Sequence, residues 1–238
     1  MTLCADTLGC QKGAITMSKN DKVSKSVIRR LPRYYRFLGE LLKEGKSKIS
    51  SRELAERMNV TASQIRQDLN CFGGFGQQGY GYNAAELRDE IGEILGVNRN
   101  YPAVLIGAGN LGRALCVHLD YEKYGCRLCG VFDNNEQLVG TRIGSFEVQP
   151  MTGLESFCSA NKPVIAILCI PKSAAPEVCE KLAGLGIRAF WNFSHYDISL
   201  VNIPDINVEN VHLGDSLMAL CYGINNSEKK YSEGSEEQ

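Results

Sequence analysis

A short apolar run that ends among three closely spaced glycines is the feature that most restricts how this chain can fold. The run reads VLIGAGNLGRAL over residues 104–115, with glycines at Gly107, Gly109 and Gly112. This pattern predicts a buried strand, a tight turn at the first glycine, a bound group close to the second, and a helix packed on the strand at the third. The N–H groups at the start of that helix attract phosphate, so the motif indicates a dinucleotide site.

An acidic residue farther along the chain supports this interpretation. The next predicted strand, CRLCGVFD, ends at Asp133, which lies 21 residues after Gly112, the spacing expected of a carboxylate that binds ribose hydroxyls. Asp133 would repel a 2′-phosphate and Asn134 offers no cation to bind one, so the sequence favours NAD(H) over NADP(H). The residues expected to hold the nucleotide in this region are Gly107, Ala108, Gly109, Asn110, Leu111, Gly112, Asp133 and Asn134.

Segments typical of strands and helices alternate after the glycine run. The segments VIAILCIP, IRAFWNF and INVEN, at residues 164–171, 187–193 and 206–210, predict strands, and residues 173–182 predict a helix between the first two. This order predicts an α/β domain with a doubly wound parallel sheet. Only an apolar helix over 214–224 and a polar tail are predicted to follow, so we expect no separate catalytic domain.

Two helix starts lie close together in the front part of the chain. The stretches ISSREL and VTASQI each place a capping Ser or Thr three residues before a Glu or Gln, with apolar residues spaced for a hydrophobic staple. They predict one helix over about 51–58 and another over about 62–71, joined by a short turn. Two helices joined in this way form a helix-turn-helix.

The second of these helices has a polar outer face. Ile65 and Leu69 are expected to face inward, because they share one face of the helix. The outward side chains can reach base edges and phosphates from a major groove, although a solvated surface has the same composition. The outward residues are Ser63, Gln64, Arg66, Gln67 and Asn70.

The neighbouring segments complete the pattern of a winged helix. Residues 73–82, GGFGQQGYGY, predict a tight β-ribbon whose tip would reach a neighbouring minor groove. A helix is expected to begin near Pro32, since proline suits a first turn but not an interior, and to end at Gly45. Another helix is expected between Asn83 and Gly96. The apolar stripe predicted for the helix near Pro32 comprises Ile28, Leu31, Tyr35, Leu38 and Leu42.

The charge of the chain is divided unevenly. Residues 19–82 carry 13 Lys and Arg against 6 Asp and Glu, a balance of +7, whereas residues 83–238 carry 12 against 20, a balance of −8. A basic front part indicates a polyanionic partner for that part alone, although a solvated basic face would have the same charge. No apolar run has the roughly eighteen residues that a membrane span needs.

Cysteine content and the composition of the termini set the expected compartment and boundaries. Ten cysteines without a secretory leader indicate a reducing cytoplasm, in which Cys126 and Cys129 are expected to be structural, since no second pair completes a zinc site.

Met1 and Met17 are both candidate starts. The expected divisions are a disordered leader over 1–22, a winged-helix domain over 23–96, a linker over 97–102, a nucleotide-binding domain over 103–212, a helix over 213–226 and a disordered acidic tail over 227–238.

Four segments of the chain closely resemble the Rex family of bacterial redox-sensing transcriptional repressors: VIRRLPRYYRFL, VTASQIRQDLNCFGGFGQQGYGY, LIGAGNLGRAL and FWNF. The resemblance covers roughly residues 23–225. It implies a homodimer of winged-helix and Rossmann subunits whose C-terminal helices are swapped between partners. It also implies a protein that is not an enzyme, which binds a pseudo-palindromic DNA operator when NADH is scarce and releases it when NADH closes the two nucleotide domains.

The resemblance also assigns roles to individual residues. Ile170 and Pro171 would line the nicotinamide of NAD(H). Arg36 matches an arginine that pairs, when NADH binds, with an acid at the start of the last helix. The residues implied to contact DNA are Arg30, Thr61, Ser63, Gln64, Arg66, Gln67, Gln78, Gly79 and Tyr80.

Four positions depart from the family pattern. His212 occupies the place of the acid, so Arg36 lacks its carboxylate, and His118 stands where the family has a tyrosine near the nicotinamide. Gln67 and Gln78 replace a lysine and an arginine, which removes positive charge that would bind phosphate. We therefore expect an NADH response that is weaker than the family pattern implies or is set by pH, or a paralogue that binds DNA with little redox response.

An enzyme is the alternative class of function. A cytosolic NAD-dependent oxidoreductase with a helical appendage would share the glycine motif. His195, which follows the strand predicted over 187–193, would then be its candidate proton donor or acceptor. The basic front part and the expected lack of a catalytic domain argue against this enzyme.

Overall fold

The computed structural model describes residues 23–73, 81–201 and 203–235, with side chains as far as residue 226. The chain divides into two compact units after Leu95. The first is largely helical and the second is built on a parallel sheet. None of the helices within the described ranges is both long enough and apolar enough to cross a membrane.

Four helices and a small antiparallel sheet form the described part of the N-terminal unit. Apolar side chains from all four helices share one core, in which Leu31, Leu54, Ile65 and Ile91 are fully buried. The elements are α1 (Lys25–Lys43), β1 (Lys48–Ile49), α2 (Ser51–Met58), α3 (Ala62–Asn70), β2 (Tyr82–Asn83) and α4 (Ala84–Leu95).

The predicted helix-turn-helix is formed by α2 and α3, and its caps explain where the helices begin. Ser50 Oγ accepts the N–H of Glu53 at 3.1 Å, and Glu53 Oε2 accepts the N–H of Ser50 at 2.8 Å, so the capping box of α2 is complete. Thr61 Oγ1 caps α3 by accepting the N–H of Gln64 at 3.1 Å. The second capping box is only half formed, because the Gln64 side chain donates to Asp68 instead of accepting at the helix start.

Helix α1 differs from the prediction in its start and in its buried face. Ser24 Oγ accepts the N–H of Val27, so the helix begins at Lys25 and contains Pro32 in its interior. An interior proline removes a backbone hydrogen bond and costs about 3 kcal/mol. Burial of several large side chains, each worth about 1.5–3 kcal/mol, outweighs that cost. Ile28, which belonged to the predicted stripe, is 46% exposed. The buried residues of α1 are Val27, Leu31, Tyr34, Leu38 and Leu41.

The predicted β-ribbon is described only at its edges. Residues 74–80 lie outside the described residues, and β2 follows them and pairs antiparallel with β1. A strand as short as β1 shows no alternation of apolar and polar residues, which is why the sequence did not indicate it. Asn83 caps α4 as predicted, accepting the N–H of Ala85 at 3.0 Å, and Gly96 follows that helix with φ 72°. The predicted DNA contacts outside the described residues are Gln78, Gly79 and Tyr80.

Seven strands form one sheet in the described part of the C-terminal unit. In chain order its elements are β3 (Tyr101–Ile106), α5 (Asn110–His118), β4 (Cys126–Asp133), β5 (Arg142–Ile143), β6 (Phe146–Pro150), α6 (Leu154–Asn161), β7 (Ile165–Leu168), α7 (Ala175–Gly184), β8 (Ala189–Asn192), β9 (Asn207–Asn210) and α8 (Leu213–Ser235). The strand order is β5-β6-β4-β3-β7-β8-β9, and every neighbouring pair is parallel except β5 with β6. This order confirms the predicted doubly wound parallel sheet.

Apolar residues alternate along the central strands and fill two cores, one on each face of the sheet. Val104 and Ile106 of β3 pack with Phe132 of β4 on one face. Leu105, which lies between them, packs with Val131 on the other face. Both faces are apolar because helices cover a doubly wound sheet on both sides.

Three parts of the C-terminal unit differ from the sequence prediction. β3 begins at Tyr101, inside the segment predicted as a linker. β5, β6 and α6 lie within residues 142–161, where two short strands and a helix without a side-chain cap leave weak sequence signals. α8 continues to Ser235, so part of the tail predicted to be disordered is helical. Once a helix has formed, each further residue adds a hydrogen bond at little cost.

Replacing Pro32 with alanine is expected to stabilise the N-terminal unit. Alanine restores the N–H that α1 lacks at this position and removes the ring that clashes with the preceding turn, a gain of up to about 3 kcal/mol. Urea unfolding followed by far-UV circular dichroism measures the gain. The fluorescence of Trp191, the chain's single tryptophan, reports the C-terminal unit in the same experiment.

Pro176→Ala is the matched control, because Pro176 lies in the first turn of α7, where proline is tolerated. We expect this control to change the free energy of unfolding by less than about 0.5 kcal/mol. An unchanged or earlier transition in Pro32→Ala would show that the proline ring itself contributes packing that α1 needs.

Candidate nucleotide and nucleic-acid sites

A cavity of about 540 Å³ opens at the ends of β3, β4 and β7. Within the sheet, β4 lies next to β3 on one side and β7 lies next to it on the other, and the chain passes from β3 first to β4. The cavity is therefore at the switch point where doubly wound sheets bind nucleotides, and its volume is typical of ligand sites. The predicted nucleotide residues that line it are Gly107, Gly109, Asp133, Asn134, Ile170 and Pro171.

Each glycine of the motif is required for a different reason. Gly107 has φ 99°, and a Cβ there would overlap the carbonyl oxygen of Cys169, just after β7. A Cβ on Gly112 would overlap the carbonyl oxygen of Gly107, so only glycine allows α5 to start this close to β3. A Cβ on Gly109 would have no neighbour within 4 Å. Open space over the Gly109 backbone is what a pyrophosphate requires.

The start of α5 offers backbone donors to an anion. Gly109 is the N-cap residue and provides no side-chain cap, so the N–H groups of the first turn are left for another partner. Asn110 is exposed in that turn. Leu111 packs against the sheet core, which places it behind the loop as support.

Asp133 ties the glycine loop to the end of β4. Its Oδ2 accepts the N–H of Ala108 at 2.6 Å, and its Oδ1 accepts the N–H of Asn135 at 2.8 Å. The residue is 9% exposed and lines the cavity. A carboxylate has about four lone-pair sites, so Asp133 retains capacity for ribose hydroxyls. Ala108 was predicted to contact the nucleotide, and in the structure its N–H donates to Asp133.

Cys169, Ile170 and Pro171 give the cavity an apolar wall at the end of β7. Burial raises the pKa of the Cys169 thiol to about 12. The thiol is therefore neutral near pH 7 and lacks the thiolate form that reacts as a nucleophile. This wall can pack against an aromatic ring but supplies no charge to it.

Four residues on one helical face line the cavity and were missed by the sequence analysis. They lie at positions i, i+3, i+4 and i+7, the spacing of neighbours on a helix. This signal was available in the sequence, but the same spacing describes the buried face of any amphipathic helix. The four residues, which lie on α7 or in the turn before it, are Ala174, Glu177, Val178 and Lys181.

The outer face of α3 is the candidate DNA surface. Ser63, Arg66 and Gln67 are exposed, and the two apolar residues predicted to face inward are buried. Arg66 Nη1 donates to Ser51 Oγ at 3.1 Å, a contact between α3 and α2. The Thr61 hydroxyl is used as the cap of α3, which fixes how the first turn of this helix is presented.

A buried carboxylate holds α3 against α1. Asp68 is 1% exposed and accepts hydrogen bonds from Arg30 Nε at 2.6 Å and Nη2 at 2.8 Å. It also accepts from the Tyr34 hydroxyl at 2.6 Å and from Gln64 Nε2 at 2.8 Å. Burial alone raises the pKa of Asp68, but the hydrogen bonds from Arg30, Tyr34 and Gln64 outweigh burial and hold that pKa below its usual value.

The lowered pKa of Asp68 has a consequence for stability. A carboxyl whose pKa falls on folding stabilises the protein above its unfolded value, about pH 4, and loses that contribution as acid protonates it. The network is thus intact near neutral pH. It also fixes two of the predicted DNA contacts, since Arg30 is ion-paired and Gln64 is half-buried beside the same carboxylate.

The residues assigned to the NADH switch are distributed over both units. Arg36 is exposed on α1, His118 is the last residue of α5, and His212 directly precedes α8. His212 has a neighbour that the sequence did not indicate, because its Nδ1 lies 3.4 Å from Nδ1 of His195. The two histidines are 17 residues apart in the chain, too far for any local pattern to pair them.

Cys126 and Cys129 lie on β4 as half-buried thiols. The Cys126 Sγ lies 3.9 Å from the carbonyl oxygen of Tyr124, and the Cys129 Sγ lies 3.3 Å from that of Arg127. Burial raises the pKa of the Cys126 thiol. In the ranges that the structure describes, no group of three or more His, Cys, Asp or Glu side chains is arranged to hold a metal ion.

Both units of the chain match known families. Residues 22–70 match the family described as "Putative DNA-binding protein N-terminus", and residues 98–196 match the "CoA binding domain" family. The redox-sensing transcriptional repressor Rex of Thermoanaerobacter pseudethanolicus is 52% identical over 212 residues, covering 89% of this chain and 94% of that protein. This chain belongs to the Rex family.

Other Rex relatives extend over the same length. The Rex repressor of Clostridium perfringens is 46% identical over 214 residues, covering 90% of this chain and all of that protein. A crystal structure of RSP with β-NAD⁺ and operator DNA has a TM-score of 0.79 and 51% identity, covering 88% of this chain and 96% of that one. The RSP complex with β-NADH has a TM-score of 0.80 and 47% identity, covering 90% of this chain and 99% of that one.

The comparisons confirm the predicted Rex resemblance and the predicted fold class, a DNA-binding N-terminal part followed by a Rossmann-like sheet. The curated relatives are named as repressors, and the match extends over nearly their whole length. The alternative of an NAD-dependent oxidoreductase is therefore wrong. Individual contacts to DNA and nucleotide are not addressed by these likenesses and stay predictions.

Gly109→Val is expected to abolish NADH binding while the protein still folds. The side chain would project into space that is open in the structure and would occupy the approach to the pyrophosphate. Isothermal titration calorimetry with NADH measures the loss, and far-UV circular dichroism checks the fold.

Gly184→Val serves as the control for Gly109→Val, because Gly184 ends α7 and a Cβ there also has no neighbour within 4 Å. It should bind NADH with the affinity of the unmodified protein. If Gly109→Val kept that affinity too, the nucleotide would not cross the glycine loop as proposed.

Proposed function

We propose that this Rex-family protein is a cytoplasmic repressor that binds operator DNA when NADH is scarce and leaves it when NADH fills the cavity at the end of β3. One observation carries the proposal: a single chain joins a helix-turn-helix with a polar outer face to a switch-point cavity with a dinucleotide loop. The RSP structures with operator DNA and with β-NADH support it, because one relative takes both kinds of ligand.

On the DNA side, α3 acts as the recognition helix in the major groove. Arg66 is exposed, and an arginine can donate two hydrogen bonds to one guanine. The positive balance of the front part of the chain supports the phosphate contacts. Arg30 and Gln64 approach DNA only in the orientation that Asp68 sets. The proposed contacts are Arg30, Thr61, Ser63, Gln64, Arg66, Gln67, Gln78, Gly79 and Tyr80.

On the nucleotide side, the cavity explains how one redox form can be preferred. The nicotinamide ring carries a positive charge in NAD⁺ and none in NADH. An apolar wall at Ile170 and Pro171 costs a charged ring more desolvation than a neutral one, so this wall favours NADH. Asp133 takes the ribose hydroxyls and repels the 2′-phosphate of NADPH.

Helix α8 supports a dimer. Its apolar side chains are more than half exposed, and apolar surface of this extent marks an association face. We assign this face to a second copy, with α8 swapped between the partners. A twofold dimer presents two α3 helices to the two halves of a pseudo-palindromic operator. The exposed side chains are Leu213, Leu217, Met218, Leu220, Tyr222 and Ile224.

A second candidate function is a Rex paralogue with little redox response, and His212 favours it. A ligand shifts an equilibrium only by the difference in its affinity for the two states. In the family pattern, an arginine–carboxylate pair contributes to that difference, and here position 212 offers Arg36 an imidazole. A charge-assisted hydrogen bond is worth about 1.5–3 kcal/mol, against about 5.5 kcal/mol for a nearly complete switch.

Arg66→Ala is expected to weaken operator binding without unfolding the protein. Loss of a contact to a base would cost about 1–3 kcal/mol and would relax the sequence preference at one base pair. Fluorescence anisotropy with operator variants and with salt titration measures both effects. Arg142→Ala is the control, since Arg142 is exposed on β5 in the other unit.

Two other results would change the assignment of Arg66. A uniform loss across operator variants, with a shallower dependence on salt, would make Arg66 a phosphate contact. Unchanged binding would contradict the assignment of α3 as the recognition helix.

NADH is expected to release only part of the operator-bound protein, and His212→Asp is expected to make release more complete. The aspartate restores the carboxylate that pairs with Arg36 in the family pattern, which adds differential affinity for the released state. DNA-binding isotherms with and without excess NADH measure both proteins. NADPH is the control ligand, and it should release neither, because Asp133 repels its 2′-phosphate.

The outcome that contradicts this expectation is complete release of the unmodified protein by NADH, with no gain from His212→Asp. The switch would then not depend on a pair at position 212. Release by NADPH at the concentration that suffices for NADH would instead show that the assignment of Asp133 is wrong.

A further inference from the structure

Two of the chain's three histidines lie side by side at one edge of the sheet. His195 follows β8 and His212 follows β9, and these strands are parallel neighbours in register. The two Nδ1 atoms are 3.4 Å apart. The ring centroids are 5.6 Å apart and the ring planes differ by 27°, so the same nitrogen of each imidazole faces the same small space.

The separation of the two nitrogens is long for a hydrogen bond and also fits a shared metal ion. Hydrogen bonds from N–H donors to oxygen acceptors are usually 2.7–3.2 Å long, and the 3.4 Å between the Nδ1 atoms is at the long end for a bond between two nitrogens. Two nitrogens bound to one tetrahedral ion at about 2.0–2.1 Å lie about 3.3–3.4 Å apart. The observed distance is therefore also one at which two imidazoles can share an ion.

A hydrogen-bond network holds both histidine segments in place. Asn192, at the end of β8, is 1% exposed and donates to the carbonyl oxygen of Tyr196 at 2.6 Å and to Asn210 Oδ1 at 2.8 Å. Its own Oδ1 accepts from the backbone N–H of Ser194 at 3.0 Å. One buried amide thus fixes the residues before and after His195 and ties them to the strand that leads to His212.

The backbone at His195 is also unusual. Its φ is 59°, in the left-handed region that costs a residue with a side chain about 1–2 kcal/mol. Conformations of this kind persist where the surrounding structure holds them, and they cluster at functional sites. The network around Asn192 is the structure that holds this one.

The surroundings allow an ion to enter and favour its charge. His195 is exposed and His212 is half-buried, so solvent reaches the pair. Asp197 lies beside the strand that leads to His212, because its Oδ1 accepts a hydrogen bond from Asn210 Nδ2 at 3.2 Å. The site thus combines two imidazole nitrogens with a carboxylate close by.

We propose that His195 and His212 bind one divalent transition-metal ion, of the zinc class, through their Nδ1 atoms. Water completes the coordination, because the described residues provide no group of three or more protein ligands. A site with only two protein ligands exchanges its ion readily and is suited to regulation. The bound ion joins the loop after β8 to the start of α8, so it restrains the angle at which this helix leaves the sheet.

Cobalt titration of the full-length, chelator-treated protein tests the proposal. Co²⁺ reports its ligands through its visible spectrum, and nitrogen and oxygen ligation lacks the thiolate-to-metal charge-transfer band that cysteine ligation produces. We expect one saturable site per chain, no thiolate band, and competition by Zn²⁺. Occupancy should also raise the temperature of unfolding, because the ion binds only the folded site.

Three variants locate the site. His195→Asn is chosen because asparagine tolerates the left-handed backbone, and His212→Gln removes the other ligand. Each should weaken Co²⁺ binding by at least about tenfold, since even the partners of metal ligands contribute factors of 10–100. His118→Gln is the matched control, because His118 lies at the end of α5, and it should bind Co²⁺ like the unmodified protein.

The proposal is overturned by any of three results. These are no saturable Co²⁺ binding by the unmodified protein, a thiolate band, or unchanged affinity in both His195→Asn and His212→Gln. Far-UV circular dichroism and the fluorescence of Trp191, the chain's single tryptophan, establish that each variant is folded. The proposal does not depend on the assigned repressor function, so a failure of DNA release by NADH leaves it unaffected.

Discussion

The close approach of α5 to β3 is the constraint on which the nucleotide cavity depends. A Cβ on Gly112 would overlap the carbonyl oxygen of Gly107, so a chain without these glycines could not begin α5 at this place. Only this start directs the first N–H groups of the helix toward the space between the ends of β3, β4 and β7. Asp133 then secures the loop through the N–H of Ala108, and the same carboxylate is left facing the cavity.

The helix-turn-helix is held by an interaction of a different physical kind. There a buried charge, Asp68, joins α3 to α1 through Arg30, Tyr34 and Gln64. A buried carboxylate is costly unless it is paired and hydrogen-bonded, and here four donated hydrogen bonds satisfy it. The network fixes the back of α3, so its outer face is presented in one orientation. In each unit, contacts on the buried side of the functional surface thus hold that surface in position.

One departure from the family pattern, His212, lies at the base of α8. In the proposed switch, the exchange of the family's acid for His212 removes the carboxylate that the family pattern pairs with Arg36. The same exchange places an imidazole beside His195, on a segment that Asn192 already holds rigid. One substitution can therefore change what controls α8, from an ion pair with an arginine to a pair of imidazole nitrogens. Because α8 carries exposed apolar side chains as far as Ile224, a restraint at its base would bear directly on the dimer proposed above.

Local patterns in the sequence determined the two capped helices, the glycine loop, the carboxylate of Asp133 and the alternation of strands that makes the sheet doubly wound. The caps, the glycine loop and each strand depend on residues within a few positions of one another, and Asp133 was indicated by its spacing of 21 residues from Gly112. Tertiary structure decided the course of α1 through Pro32, the burial of Asp68, the face of α7 in the cavity and the meeting of His195 with His212. Arg30 and Asp68 are 38 residues apart, and no local period reports such a contact. Burial free energy from the whole core outweighs the local cost of a proline or a charge, and that balance exists only once the chain is packed.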